Sequence, residues 1–186
     1  MEQKISASHL SGLILALFIA FASQSTGQYA NSENVVSPSE FLGYTLGDRF
    51  TPHHRVVDYV SYLVEAVPFI EKLDYGNTSE GRPLQLLVIS HPENMEKMNA
   101  FRSEHLDRVA GGTGTKEWDD VAVAWLSYNV HGNEAVCTEA ALEVMHRTIV
   151  AAQQGENWLK KLFVIIDPCL NPDGHDRYTN WFAQYA

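Results

Sequence analysis

Apolar side chains in the first half of the chain recur with spacings that predict one helix and one β-hairpin. After Thr51-Pro52, a typical helix start, valine, tyrosine and leucine recur every three or four positions as far as Pro68, which ends the pattern. Ile70 to Tyr75 and Leu84 to Ser90 are short apolar runs separated by a turn-forming cluster at 76–81. This arrangement predicts two neighbouring strands joined by a turn.

The second half of the chain predicts a strand, a helix and a second strand. Val121 to Asn129 and Leu162 to Asp167 are almost continuously apolar, and residues 134–154 between them favour a helix. Continuous apolar runs are typical of strands covered on both faces, so we expect Trp125 and Tyr128 to lie in the core. Together with the hairpin, this unit predicts an α/β fold with a mixed β-sheet between helices.

The first 22 residues predict a secretory signal peptide. Lys4 supplies a weak positive region, and the apolar run from Leu10 to Ala22 is shorter than the ~20 residues that a membrane-spanning helix needs. Ala20-Phe21-Ala22 fits a small-x-small cleavage site, and Gly27 offers a later one. We therefore expect an exported protein, periplasmic or secreted, with no stable membrane anchor after cleavage. An uncleaved anchor is the alternative.

The length and charge of the chain narrow the class of protein. The 186 residues suffice for one domain, which we place at 51–186 after a spacer and docking segment at 23–50. A net charge of −10 disfavours nucleic-acid binding, because no basic surplus is present to replace phosphate counterions. Cys137 and Cys169 are the only cysteines, and the sequence leaves open whether they pair or remain free thiols.

Two polar clusters follow the two predicted C-terminal strands. They are His131-Gly132-Asn133-Glu134 and Asn171-Pro172-Asp173-Gly174. Functional groups in open α/β sheets collect outside the carboxyl ends of strands. A neutral imidazole and a carboxylate are good zinc ligands, so His131 and Glu134 are candidate metal ligands. A glutamate at a helix start is also stabilising by itself, and a catalytic zinc site needs three protein ligands.

The second cluster, Asn171 to Gly174, has the residue order of a type I turn. The remaining histidines give weak candidates for a third metal ligand. His146 is predicted to face away from the site on its helix, and His175 lies near the strand ends but outside any ligand motif. We expect His53 and His54, at the start of the first long helix, to be solvated.

Three motifs in this order resemble the zinc carboxypeptidases of the M14 type, in particular exported bacterial members. They are Ser79-Glu80-Gly81-Arg82-Pro83, His131-Gly132-Asn133-Glu134 and Asn171-Pro172-Asp173-Gly174, preceded by similar stretches at 39–44 and 49–54. The resemblance covers about residues 39–186. It implies an α/β/α sandwich with one zinc ion, which hydrolyses C-terminal residues from peptides or proteins. It also implies that His131 and Glu134 are two of the three zinc ligands.

The resemblance also implies residues that this sequence does not contain. In the family, the third ligand (a histidine), the general-base glutamate and the pair that grips the substrate carboxylate lie beyond the Asn-Pro-Asp-Gly motif. We therefore expect no catalytic residue before Ala186, a domain that is incomplete at the C-terminus, and a chain that is inactive alone. Arg177 is a candidate substrate-binding residue, with a structural role as the alternative. For Arg82 we expect a structural pairing with a neighbouring carboxylate.

Three functions remain open at this point. The first is a zinc-dependent metallocarboxypeptidase that acts on peptide C-termini. The second is a related zinc deacylase of small N-acyl substrates, against which the Asn-Pro-Asp-Gly motif counts. The third is a non-catalytic binding protein on the same scaffold.

Overall fold

The computed structural model describes residues 35–115 and 117–185. The predicted signal peptide and the first part of the predicted spacer lie outside the described residues. Within the described ranges every helix is too short or too polar to serve as a membrane span. In chain order the elements are α1 (Pro38–Leu42), α2 (His53–Ala66), β1 (Ile70–Asn77), β2 (Pro83–Ile89), α3 (Pro92–Met95), α4 (Met98–Val109), β3 (Ala122–Ser127), α5 (Val136–Gln153), a 3-10 turn (Asn157–Lys161), β4 (Leu162–Asp167) and α6 (Pro172–Tyr185).

The four strands form one mixed sheet in the order β1-β2-β4-β3. β1 pairs antiparallel with β2, and β2 antiparallel with β4, while β3 and β4 run parallel. The predicted hairpin, the strand-helix-strand unit and the mixed sheet are thereby confirmed. Ser127 lies opposite Asp167 in the ladder, so both parallel strands end at one edge of the sheet. We call this the carboxyl edge.

The main core lies between α2, α5 and one face of the sheet. The apolar spacing in α2 turns Val56, Tyr59, Val60 and Leu63 inward, all at most 1% exposed. They join a cluster with residues from α5 and the two central strands: Leu142, Met145, Ile149, Leu87, Ile89, Val164 and Ile166. Burial of each such side chain contributes roughly 1.5–3 kcal/mol, which makes this cluster the main source of stability.

The expectation that both faces of β3 are covered was wrong. Trp125 is 61% exposed and Val123 41% exposed, while Tyr128 is half-buried. β3 is an edge strand of the described sheet. A small apolar cluster that includes Met98 and Phe101 of α4 packs on Val88 and Phe163, but it does not extend over Val123 and Trp125 of β3. The run of apolar residues is therefore an apolar sheet face beside an open groove of about 360 Å³.

Asn171 to Gly174 forms the start of a helix, and the isolated turn predicted from the sequence is only the first turn of α6. The Asn171 side-chain oxygen accepts a hydrogen bond from the Gly174 backbone N–H at 3.0 Å, which is N-cap geometry, and Pro172 occupies the first helical position. The helical periodicity beyond Gly174 was missed because the motif was interpreted only as a turn.

Candidate metal centre at the carboxyl edge

The two polar clusters lie side by side at the carboxyl edge. The backbone N–H of Leu170 donates to the carbonyl of Tyr128 at 2.9 Å, and that of Asn171 donates to the carbonyl of Asn129 at 3.2 Å. The Asn171 side-chain amide donates to the carbonyl of Val130, also at 3.2 Å. These bonds join the segment after β3 to the segment after β4 before either helix begins.

Gly132 and Gly174 bring the two clusters into backbone contact. A Cβ atom at position 132 would overlap the carbonyl carbon and oxygen of Gly174. The backbone at Gly132 is not in the left-handed region, so the glycine is required by space and not by its own conformation. The sequence shows a glycine at position 132, but it could not predict that this glycine packs against the backbone of Gly174.

His131 and Glu134 lie at the ends of one tight turn. The backbone N–H of Glu134 donates to the carbonyl of His131 at 3.0 Å, and the Glu134 carboxylate accepts from the His131 backbone N–H at 3.2 Å. Both side chains are exposed. α5 begins two residues later, at Val136, so Glu134 precedes the helix and its carboxylate is folded back towards His131.

The donor atoms fit zinc chemically, but they form an incomplete set. An imidazole nitrogen and a carboxylate oxygen are both common zinc ligands. Among residues 35–115 and 117–185, however, no three His, Cys, Asp or Glu side chains lie close enough to hold a metal ion. The assignment of His131 and Glu134 as zinc ligands therefore stays a prediction, and two protein ligands are all that this segment offers.

Neither of the other candidate histidines completes the set. His175 is fully buried, with its Nε2 atom 2.8 Å from the carbonyl of Thr51 and its Nδ1 atom 3.1 Å from the Asn129 amide nitrogen. The Nε2 atom of His146 lies 3.1 Å from the carbonyl of Val35, away from the site. His53 was predicted to be solvated but is buried, with Nε2 3.0 Å from the carbonyl of Pro83. His54 is exposed, as expected.

Arg82 ties the β1–β2 turn to the start of α6. Its guanidinium group lies 2.7 Å from both the Asp173 and the Asp176 carboxylates, and 2.5 Å from that of Glu80. Hydrogen bonds from Arg82 and then Arg177 hold the pKa of Glu80 below its usual value. The structural pairing expected for Arg82 is confirmed.

Arg177 also points to this ionic cluster. It is exposed and forms an ion pair with Glu80. A role in binding substrate is untested and would require the guanidinium group to exchange Glu80 for another carboxylate.

The sequence analysis did not identify a buried acid at the carboxyl edge, Asp167. Asp167 is 2% exposed and accepts a hydrogen bond from the Tyr75 hydroxyl at 2.6 Å. Burial raises its pKa despite that bond. The only signal was a charged residue at the end of an apolar strand.

Cys137 and Cys169 are both free thiols, and burial raises the pKa of Cys169 to about 12.

A second buried acid, Glu139 on α5, was also missed. Its two carboxylate oxygens accept hydrogen bonds from the Thr51 backbone N–H at 2.6 Å and the Thr51 hydroxyl at 2.9 Å. Burial raises the pKa of Glu139, although the Thr51 bonds oppose the shift. Thr51 thus links α5 to His175, since its carbonyl lies against the His175 ring.

Solved carboxypeptidase structures resemble the described fold. Carboxypeptidase A from Helicoverpa armigera matches with a TM-score of 0.54 and 20% identity, over 95% of this chain and 36% of that chain. Thrombin activatable fibrinolysis inhibitor matches with a TM-score of 0.50 and 17% identity, over 93% of this chain and 40% of that one. At these identities the likeness concerns the fold, and the chain spans well under half of either structure. A search of curated proteins found no match.

A match to a protein-family model gives evidence on the chain itself. The model described as zinc carboxypeptidase matches residues 56–184, which include the β1–β2 turn and both polar clusters at the carboxyl edge. The sequence motifs, the mixed sheet and this match agree in position and order. The chain therefore belongs to the zinc carboxypeptidase family.

Proposed function

We propose that this chain provides part of the catalytic domain of a zinc-dependent metallocarboxypeptidase that releases C-terminal residues from peptides. The observation that carries the proposal is the turn that joins His131 to Glu134 at the carboxyl edge, inside the segment that matches the family. The proposal extends to export, on the basis of the apolar run at residues 10–22. That run lies outside the described residues.

In this proposal His131 and Glu134 bind one zinc ion. A bound zinc ion would supply Lewis acidity at the substrate carbonyl and activate water for its attack. The contact between Gly132 and Gly174 and the hydrogen bonds that Asn171 donates from its backbone and its side chain support the turn, and none of them uses the side chain of His131 or Glu134. Among the described residues no third metal-binding side chain joins His131 and Glu134, and the family resemblance places the general base outside these residues as well. Peptide cleavage is therefore proposed for a protein that supplies both.

Zinc titration of the metal-free chain, in competition with a chromophoric chelator, tests the two ligands. We expect weak binding by the unaltered chain, because only two protein donors are present. Loss of a hydrogen bond that merely supports a ligand costs about 10–100-fold in metal affinity. His131→Ala and Glu134→Gln should weaken binding by at least that much.

Matched controls for this titration are available elsewhere in the chain. His54→Ala removes an exposed histidine of α2. Glu143→Gln removes the charge of a half-buried glutamate in the middle of α5, where it pairs with Arg147. Both variants should leave zinc affinity unchanged. If His131→Ala binds zinc as tightly as the unaltered chain, the proposed metal site is wrong.

The substrate class needs a separate assay. In a protein that also carries the third ligand and the base, His131→Ala should abolish release of C-terminal residues from peptides. Hydrolysis of N-acyl amino acids without any cleavage of peptides would favour the deacylase instead.

A further inference from the structure

Asn129 has an uncommon backbone conformation beside the candidate metal ligands. Its φ is +54°, and among the described residues it is the one non-glycine residue with positive φ. It is also 1% exposed, although its side chain is fully polar. A left-handed conformation and a buried amide are both unfavourable, so such a residue persists only where other contacts require it.

The Asn129 amide bridges the metal turn and α6. Its NH2 group donates one hydrogen bond to the carbonyl of Glu134 at 3.0 Å and the other to Nδ1 of His175 at 3.1 Å. The opposite amide orientation would place an oxygen against the Glu134 carbonyl, so these contacts fix the orientation. The amide oxygen is left buried without a partner, which indicates that its two donors determine its placement.

His175 is held from its other side. Because Nδ1 accepts from Asn129, the ring proton resides on Nε2 and is donated to the carbonyl of Thr51. Thr51 in turn donates from its backbone and its hydroxyl to the buried carboxylate of Glu139. A continuous hydrogen-bonded chain therefore runs from α5 through Thr51, His175 and Asn129 to the backbone of Glu134.

We propose that Asn129 and His175 are positioning residues that hold the His131–Glu134 turn in the form that binds metal. The inference rests on the proposed zinc site. It assigns to His175 a role in supporting the site through Asn129, although its ring is too enclosed to be a ligand itself. In this proposal neither residue contacts the metal or the substrate.

Asn129→Gly is the first test. Glycine adopts positive φ without strain, so the substitution keeps the backbone conformation and removes both amide donors. We expect zinc affinity of the 186-residue chain to fall by about 10–100-fold, the usual loss when the support of a metal ligand is removed. Ser90→Ala is the matched control. It removes a buried hydroxyl that donates to the Leu159 and Leu162 carbonyls at the opposite edge of the sheet. It should reduce stability without changing zinc affinity.

Two variants of His175 distinguish a role in positioning Asn129 from a role in packing alone. His175→Asn keeps an acceptor near the Nδ1 position and loses the bond to Thr51, whereas His175→Gln keeps a donor near Nε2 and loses the acceptor for Asn129. We expect zinc affinity to be largely retained in His175→Asn and to fall in His175→Gln as it does in Asn129→Gly. Because both act through one bond, combining Asn129→Gly with His175→Gln should add little further loss.

Hydrogen exchange in the metal-free chain gives a readout that does not depend on zinc. The Cys137 backbone N–H donates to the Glu134 carbonyl at 2.9 Å, and it should exchange faster in Asn129→Gly but not in Ser90→Ala. Unchanged exchange and unchanged zinc affinity in Asn129→Gly would overturn the inference, as would equal loss of zinc affinity in Asn129→Gly and Ser90→Ala. If His131→Ala leaves zinc affinity unchanged, the proposed function fails, and exchange at Cys137 still decides whether Asn129 holds the turn.

Discussion

Gly132 illustrates how a single residue at this site is constrained by a distant part of the chain. Its backbone conformation is open to any residue, but a Cβ atom there would overlap the backbone of Gly174, some forty residues later. Backbone atoms cannot move aside as the end of a flexible side chain can. Even the smallest side chain therefore has to push apart the segments that follow β3 and β4.

Gly132→Ala tests this constraint through the sign of its effect on stability. Where space allows, glycine to alanine stabilises a protein by about 0.4–1 kcal/mol, because the unfolded chain loses freedom. Here we expect a decrease in the free energy of unfolding of about 1–3 kcal/mol, the usual cost of overpacking. Urea denaturation followed by far-UV circular dichroism measures it. Asn133→Ala, an exposed neighbour, should change stability by less than about 0.5 kcal/mol. A more stable Gly132→Ala chain would contradict the argument.

At the scale of elements, the β1–β2 turn and α6 are held together by charge. Burial pushes the pKa of Asp173 up, but hydrogen bonds from Thr78 and Arg82 outweigh it and hold the pKa below its usual value. Glu80 is shifted in the same direction. A carboxyl group whose pKa is lower in the folded state contributes stability above its unfolded pKa, and that stability is lost as the pH falls through the folded value.

Arg82→Met should therefore flatten the acid limb of the stability curve. Unfolded Asp and Glu titrate near pH 4, so the unaltered chain should lose stability more steeply than the variant between about pH 5 and pH 3. The urea midpoint measured across that range gives the comparison. Arg147→Met, which removes an exposed pair with Glu143 on α5, is the control and should leave the slope unchanged. Parallel curves for the unaltered chain and Arg82→Met would contradict the role assigned to Arg82.

At the scale of the whole molecule, the described residues bury one face of the sheet well and leave part of the other face exposed. α2 and α5 bury one face, whereas Val123 and Trp125 remain exposed on the opposite face of edge strand β3. An apolar edge strand presents both unpaired backbone groups and apolar side chains to solvent. Such a surface favours association with other chains.

Trp125→Lys should reduce self-association without loss of fold. We expect the chain to associate increasingly with concentration in sedimentation velocity experiments, and Trp125→Lys to weaken that association, because edge lysines oppose strand pairing. Trp158→Lys alters an exposed tryptophan on the 3-10 turn and is the control. Equal association of all three proteins would show that β3 is not the responsible surface.

The local elements and the family could be predicted from the sequence because both depend on residues close together in the chain: the spacing of apolar side chains and a few short motifs. The spacing of apolar residues predicted α2, and the hairpin together with the strand-helix-strand order predicted the mixed sheet. The helical start at Asn171 was missed because a turn and a helix begin with the same residues. The exposure of Trp125 was missed because an apolar run does not reveal whether anything covers it.

What the sequence determined by itself is the type of the four strands and of helices α2 and α5, together with the chemistry available at the carboxyl edge: an imidazole and a carboxylate three positions apart. Only the tertiary structure decided which polar groups meet there. It placed Gly132 against Gly174, enclosed His175 between Asn129 and Thr51, and buried Asp167 and Glu139. The physical reason is range. Helix and strand patterns depend on neighbours a few residues away, whereas these contacts join residues 40 or more positions apart and exist only once the sheet has formed.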